Sequence, residues 1–148
     1  MKLFLFIPYT CLILISFFMW SGISLAERLS VKVPIANVRS SPETKSDILW
    51  KVEKDHPLNI IKKSGSWYRF RDFEGDMGWI HKSLLGKAAS VITIKKKCNV
   101  RSGPGTGFDK VFTVDKGIPF KVIKRKGNWI KIRHADGDNG WIHKTLVW

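Results

Sequence analysis

Two tryptophans that begin strand-like segments are the residues best placed to bind a ligand. In Trp129-Ile130-Lys131-Ile132-Arg133, strand alternation directs the two isoleucines to a core, so Trp129 shares the outward face with Lys131. Trp67 shares its outward face with Arg69 in the same way. An exposed indole beside cations is typical of a recognition surface. The alternative is that a loop of the same unit packs over each ring and leaves only one edge exposed.

Two histidines lie close by on a later strand. Period-two alternation in Gly78-Trp79-Ile80-His81 places His81 outward, and His143 repeats the pattern. An imidazole titrates near pH 6.5, so a ligand contact through these residues would vary with pH. A hydrogen bond from each histidine to the neighbouring loop is the simpler alternative. The neighbouring Trp79 and Trp141 are interpreted as mainly structural.

Two arginines lie in a repeated loop motif. Arg39 and Arg101 each precede a serine and a proline-containing turn, where a guanidinium could bind a carboxylate or phosphate in bidentate fashion. We favour a role in building the loop, because the whole block occurs twice. The block consists of Asn37, Arg39 and Pro42 in its first copy and of Asn99, Arg101 and Pro104 in its second.

Positive charge is concentrated in the second half of a chain whose formal net charge is +14. Residues 31–85 carry ten basic and seven acidic residues, whereas residues 93–148 carry thirteen and four. The candidate polyanion surface consists of Lys95, Lys96 and Lys97 together with Lys124, Arg125 and Lys126. Such runs also occur as solvated turns and as edge-strand protection against aggregation, which is the alternative interpretation.

The sequence contains no recognisable catalytic or metal-binding motif. The alternating acids from Asp72 to Asp76 resemble the start of a calcium loop, but Met77 replaces the required glycine. The glycine-rich stretch 103–107 lacks the Lys-(Ser/Thr) of a phosphate-binding loop, and no cysteine–histidine pair is spaced as nucleophile and base. We therefore expect a protein that is not an enzyme and that needs no metal and no cofactor.

These candidate residues recur because the chain contains an internal duplication. An offset of 62 positions aligns residues 37–85 with 99–147 without a gap and gives 23 identities in 49 positions. The repeat predicts two domains, 31–85 and 93–148, joined by a linker at 86–92. So short a connection should restrict their relative orientation.

The strand pattern within each unit predicts an all-β fold. Short β-branched and aromatic runs recur every 8 to 12 residues between turn signals, and no helical period competes. Five strands in about 55 residues fit a small, strongly bent barrel better than a two-sheet sandwich. The first-unit strands are predicted at 31–38, 48–52, 58–62, 67–71 and 78–81, with a terminal helical turn at 82–84 and the same order 62 residues later.

The first 26 residues have the pattern of an export signal. Lys2 precedes an apolar run, and Ser24 and Ala26 fit the small-residue rule for cleavage before Glu27. A retained membrane anchor over residues 3–20 is the alternative, because a run of about 18 residues is at the lower limit for crossing a bilayer. The expected location is periplasmic or secreted. Cys98 is then the one cysteine of the mature chain and is expected to be a small buried apolar residue.

Both units resemble the bacterial Src-homology-3 (SH3-type) domain. The resemblance rests on Asn99-Val100-Arg101-Ser102-Gly103-Pro104, the Gly127-Asn128-Trp129 turn and the ending Gly140-Trp141-Ile142-His143-Lys144, each with a first-unit counterpart. It implies two tandem five-stranded SH3-like barrels that act as an extracytoplasmic binding module, of a kind often associated with cell-wall proteins. In eukaryotic relatives the tryptophan that begins this strand lines the ligand groove.

The expected partner is a cell-wall polymer, most plausibly peptidoglycan peptide stems or another anionic wall polymer. A periplasmic protein that offers an extended peptide is the alternative partner, because edge strands and a tryptophan groove can take such a peptide. Basic aromatic barrels also suit single-stranded nucleic acid, but export argues against that partner. Contact with a membrane is expected only if the signal segment is not cleaved.

Overall fold

The computed structural model describes residues 26–148. The predicted export segment lies outside the described residues except for Ala26. Within residues 26–148, no helix is long and apolar enough to cross a membrane. The described chain consists of β-strands, short turns and two single turns of 3₁₀ helix, which confirms the predicted all-β fold.

The first unit is one antiparallel sheet of seven strands in the order β3-β2-β6-β5-β4-β1-β7. Its strands are β1 (Glu27–Val31), β2 (Ile35–Arg39), β3 (Ile48–Glu53), β4 (Pro57–Ser64), β5 (Trp67–Arg71), β6 (Met77–His81) and β7 (Leu85–Gly86). A 3₁₀ turn over Lys82–Leu84 lies between β6 and β7, where the sequence predicts it.

The single strand predicted at 31–38 is wrong, because the chain turns at Pro34 and forms two strands there. Val31 donates its N–H to the carbonyl of His56, and Lys32 donates to the carbonyl of Leu84. β1 then pairs with β4 and β7, whereas β2 pairs with β3 and β6. The first sheet therefore contains more strands than the five predicted.

The second unit repeats this arrangement in a sheet of six strands, in the order β10-β9-β13-β12-β11-β8. Its strands are β8 (Ser90–Ile92), β9 (Cys98–Arg101), β10 (Lys110–Val114), β11 (Pro119–Lys126), β12 (Trp129–Arg133) and β13 (Asn139–His143), followed by a 3₁₀ turn over Lys144–Leu146. Gly86 and Ser90–Ile92 were predicted as linker but belong to strands, so residues 87–89 alone connect the two sheets.

Each sheet wraps around its own apolar core. Val38, Phe70 and Ile80 are fully buried in the first core, and Val100 and Ile142 are fully buried in the second. Cys98 is also fully buried, as predicted; its thiol lies 3.4 Å from the carbonyl of Lys95, and burial raises its pKa. Alternate residues of the surrounding strands therefore face outward and are available for other contacts.

The two units also pack against each other, and each uses the same two segments. Phe73 of the first unit lies over the β10–β11 turn of the second, 3.9 Å from the position a Cβ of Gly117 would take. Beside it, Lys116 Nζ lies 2.6 Å from Glu74 Oε1. The corresponding segments, turn 54–55 and loop 134–135, face each other across a cleft. The contact is therefore reciprocal, as in a two-fold symmetric interface.

Candidate ligand-binding faces

A tryptophan and a histidine meet on the outer face of each unit. Trp67 and His81 are directly opposite each other on β5 and β6, and their rings meet edge to face with centroids 5.2 Å apart. Trp129 and His143 form the same pair with the same centroid separation. All four side chains are half-buried. The structure thus brings together the tryptophans and histidines that the sequence nominated separately, and it leaves part of each ring exposed.

Each histidine is held by the 3₁₀ turn that follows it. Nδ1 of His81 accepts the N–H of Ser83 and lies 2.7 Å from the Ser83 hydroxyl; Nδ1 of His143 has the same two partners in Thr145. Because Nδ1 is the acceptor, we assign the ring hydrogen of the neutral imidazole to Nε2. The hydrogen bond to the neighbouring loop and a role in binding are therefore compatible, since only one ring nitrogen is used internally.

The first Trp–His pair lies in a groove of about 410 Å³. Sequence reasoning missed five residues of its lining: Ile35, Ala36, Thr44, and Ser83 and Leu84 of the 3₁₀ turn. Ile35 is 61% exposed although it begins a strand. Thr44 and Leu84 both recur in the second unit, as Thr106 and Leu146, which is the one sequence signal that pointed to them.

The second Trp–His pair has a different neighbour. The position equivalent to Ile35 is Lys97, which is exposed and belongs to the first predicted basic run. The two faces thus share their aromatic pair and differ in the charge beside it.

Arg39 and Arg101 point into their own loops. Nη1 of Arg39 donates to the carbonyl of Ser46 at 2.7 Å, and Nη1 of Arg101 donates to the equivalent carbonyl of Phe108 at 2.8 Å. Each guanidinium therefore ties the end of one strand to the far side of the loop that follows it. Of the other residues in the block, Asn37 lines the first groove, Asn99 accepts a hydrogen bond from Thr113, Pro42 is exposed and Pro104 is half-buried.

Arg69 and Lys131 lie two residues beyond the tryptophans on the same outward face. Each is directly opposite a second tryptophan, Trp79 or Trp141, on the neighbouring strand. Trp141 is only 7% exposed, although it faces away from the second core. Lys124 lies 5.5 Å from the centre of its ring. Lys124 therefore contacts an aromatic ring of its own unit.

The two basic runs are exposed and occupy different elements. Lys95, Lys96 and Lys97 form the connection before β9, and Lys124, Arg125 and Lys126 end β11 at the hairpin with β12. Lys126 is directly opposite Trp129, so the second run adjoins the second Trp–His pair. Arg28 of the first unit stacks on Trp148 at 3.9 Å, and burial and the nearby Arg125 lower its pKa.

Within residues 26–148, no group of three or more histidine, cysteine or acidic side chains could hold a metal ion. Asp72, Glu74 and Asp76 form a turn, in which Oδ1 of Asp72 accepts the N–H groups of the other two at 2.9 Å each. The Asp72 side chain therefore organises this turn.

A family model described as bacterial SH3 domain matches the chain twice, over residues 32–87 and 95–148. Among curated proteins, YrvJ of Bacillus subtilis, named an N-acetylmuramoyl-L-alanine amidase, is 28% identical over 122 residues; these cover 75% of this chain and 23% of YrvJ. LytH of Staphylococcus epidermidis, named a cell wall amidase, is 38% identical over 61 residues, covering 40% of this chain and 21% of LytH. The chain thus spans less than a quarter of the length of either relative.

Among solved structures, an NlpC/P60 family protein from Bacillus cereus aligns with a TM-score of 0.39 at 11% identity, over 82% of this chain and 55% of that one. NlpC1 from Trichomonas vaginalis gives the same TM-score at 13% identity, over 86% and 47%. A TM-score below 0.5 does not establish a common overall fold.

Proposed function

Because the chain belongs to the bacterial SH3 domain family, we propose that it is an exported binding module that docks on the bacterial cell envelope through its two Trp–His faces. Its ligand is the peptide stem of peptidoglycan or another anionic wall polymer. The observation that carries the proposal is the partly exposed Trp–His pair, present on both units with the same geometry. The relatives named as cell wall amidases, which share this region, support it.

The two faces have the chemistry that such a ligand requires. An indole offers apolar area with one N–H donor, and the exposed Nε2 of each histidine offers a second donor. Arg69 and Lys131, beside the tryptophans, can pair with carboxylates. A peptide with free carboxyl groups can therefore rest its backbone on the rings and place its charge against the cations.

Co-sedimentation of residues 27–148 with purified sacculi tests this function. We expect Trp67→Ala and Trp129→Ala each to reduce pelleting, and the double variant to abolish it. Ile61→Ala and Ile123→Ala are matched controls, because these exposed side chains occupy equivalent positions on β4 and β11 and lie outside the lining of the first groove. Negligible pelleting of the wild type, or equal pelleting of all variants, would remove the proposal.

The same proposal includes the absence of catalysis. The module binds and does not cleave, so incubation of the protein with soluble muropeptides should give no new products. A cleaved bond would assign this chain a catalytic role. N-terminal sequencing of the mature protein distinguishes a cleaved signal, with Glu27 first, from an anchor retained over residues 3–20.

A second candidate function is a periplasmic adaptor that holds an extended peptide of another protein. The observation that favours it is the exposed edge strand of each sheet: Ile48 and Leu49 on β3 are about half exposed, as is Val111 on β10. An edge strand can add a partner strand through its free backbone groups. Crosslinking in living cells separates the two functions, since recovery of one stoichiometric protein favours the adaptor.

A further inference from the structure

A cleft of about 350 Å³ lies between the two units, away from both Trp–His faces. The first unit lines it with the end of β1 and the next residue, the β3–β4 turn and the end of β7. The connection contributes Ala88, and the second unit contributes β11, β12 and the following loop. Its charged lining consists of Lys32, Lys54, Lys121, Arg133 and the single carboxylate of Asp55, with His134 beside them.

The reciprocal contact between the units explains why this cleft is open. On one side of the contact, Phe73 covers Gly117 and the Glu74–Lys116 ion pair lies beside it. On the other side, Ala135 stands at the position equivalent to Phe73. A methyl group in place of a phenyl ring leaves the corresponding space empty, so the cleft is the unfilled half of a nearly symmetric interface.

The cations of the cleft lack acidic partners. Among the residues that the structure describes, no carboxylate forms an ion pair with Lys32, Lys54, Lys121 or Arg133. Two of these lysines nevertheless lie close to one point: burial raises the pKa of Asp55, and nearby Lys54 and Lys121 oppose that rise. Four cations against one carboxylate leave a formal balance of +3 along the cleft, and all four cationic side chains are exposed and accessible to a ligand.

We propose that this cleft between the units is a second binding site, which takes a phosphate-bearing anion with several negative charges. The anion binds to Lys32 and Lys54 of the first unit and to Lys121 and Arg133 of the second. The site is distinct from the Trp–His faces and does not depend on the function proposed for them.

Phosphate suits this lining better than a carboxylate does. A carboxylate offers two oxygens and one charge, which leaves most of the lining cations unmatched. A phosphate group offers more acceptor oxygens, and linked phosphates distribute charge along the cleft. Arg133 can bind two oxygens of one phosphate, and the lysines act as point charges on its neighbours. Two sources share this chemistry, a free oligophosphate and a phosphodiester polymer.

Isothermal titration of the full mature chain with tripolyphosphate tests the site, at about 0.15 M salt to suppress diffuse attraction. We expect binding of one ion per chain, weakened about tenfold or more by Lys121→Gln and by Arg133→Gln, since each removes a charged hydrogen bond. Lys110→Gln and Lys144→Gln are the controls, each of which removes one positive charge from an exposed position of the second unit outside the cleft lining. These should change the affinity less than about twofold.

A charge-neutral variant tests the cleft by shape. Ala135→Phe copies Phe73 onto the open side and should fill the space, so tripolyphosphate binding should be lost while the protein stays folded. Absence of one-to-one binding, equal weakening by cleft and control variants, unchanged binding by Ala135→Phe, or equally tight binding of citrate would each overturn the proposal.

Poly(glycerol phosphate) serves as the second probe. Binding of this polymer with the same variant pattern assigns the site to a polymer, and binding of tripolyphosphate alone assigns it to a free oligophosphate.

Discussion

The two units share the residues that shape their outer faces and loops, and they differ at several positions where they touch each other. The Trp–His pairs and the arginine that ties the loop are the same in both units. So is the glycine at the strand crossing, where β6 lies against β2 (Gly78) or β13 against β9 (Gly140). By contrast, two pairs of neighbouring positions at or near the interface differ between the units. Asp55, His56, Asp72 and Phe73 of the first unit correspond to Gly117, Ile118, His134 and Ala135 of the second. Because the two units pack against each other through the same segments, a difference between the repeats can fill one side of the contact and leave the other side open. The cleft between the units therefore arises from this difference, and neither unit has it alone.

The glycine at the strand crossing is common to both units and gives the largest expected effect. A Cβ on Gly140 would lie 2.5 Å from Val100 Cγ1 and 2.9 Å from the carbonyl oxygen of Arg101, and one on Gly78 would collide with Val38. Because a backbone atom cannot move aside, we expect Gly140→Ala to cost about 3 kcal/mol of unfolding free energy, measured by urea denaturation.

Gly78→Ala should cost slightly less, about 2 kcal/mol, because its close neighbours are side chains. Gly107→Ala is the control, since nothing lies within 4 Å of that added Cβ. A loss below 0.5 kcal/mol in both strand variants would show that the two crossings are looser than the structure describes.

Acid should destabilise the first unit through His56, which the second unit replaces with Ile118. The His56 ring packs on Phe73 with centroids 6.0 Å apart, and its buried Nε2 has no hydrogen-bond partner among the described residues. Burial lowers the pKa of His56 to about 4. Between about pH 6.5 and pH 4 the unfolded chain therefore binds a proton that the folded chain does not, so stability falls as the pH falls through that window.

The expected loss at pH 4 from this group is about 2 to 3 kcal/mol relative to pH 7. Urea denaturation of the wild type at both pH values measures it, and His56→Ile, which copies the second unit, should remove this part of the pH dependence. An identical pH dependence in that variant would assign the acid sensitivity to other groups.

These comparisons also show how far the sequence could predict the structure. Local alternation and turn residues predict the strands from Ile48 onwards. The repeat offset of 62 residues predicts the corresponding strands of the second unit. Pro34 was a local signal for dividing the predicted strand at 31–38, but the pairing of β1 with β4 and β7 depends on partners 27 to 56 residues away. The sequence nominated the tryptophans and histidines of the faces. It did not predict their edge-to-face contact or the groove wall at Ile35, because strand register brings these together.

The contact between the units was beyond the sequence for a related reason. Phe73 and Glu74 look like ordinary hairpin residues, and nothing local shows that they face Lys116 and Gly117, more than 40 positions later. Only the packing of the two units reveals that Ala135, at the position equivalent to Phe73, leaves a cleft open. Differences between repeats are therefore as informative as identities, once the packing of the repeats is known.

A loop follows β5 in the first unit and β12 in the second. Replacing its first side chain by alanine should destabilise the second unit less than the first. Asp72 is buried, and its Oδ1 accepts two backbone N–H groups at 2.9 Å, whereas His134 accepts one at 3.5 Å. We expect Asp72→Ala to cost about 1 to 2 kcal/mol, since two backbone N–H groups lose their acceptor, and His134→Ala to cost less than half of that. Thermal unfolding measures both, and equal losses would mean that the aspartate adds nothing to the turn.

The ion pair between the units should have the smallest effect. Lys116 and Glu74 are nearly half exposed, and exposed pairs contribute little because water and salt screen them. A double-mutant cycle with Lys116→Gln and Glu74→Gln should give a coupling of about 0.5 kcal/mol that declines between 0.05 and about 0.5 M salt. The Lys63–Glu27 pair, with the same 2.6 Å separation inside the first unit, is the matched control for geometry. A coupling several times larger between the units than within one would mean that electrostatics, and not Phe73 on Gly117, holds the closed side of the interface together.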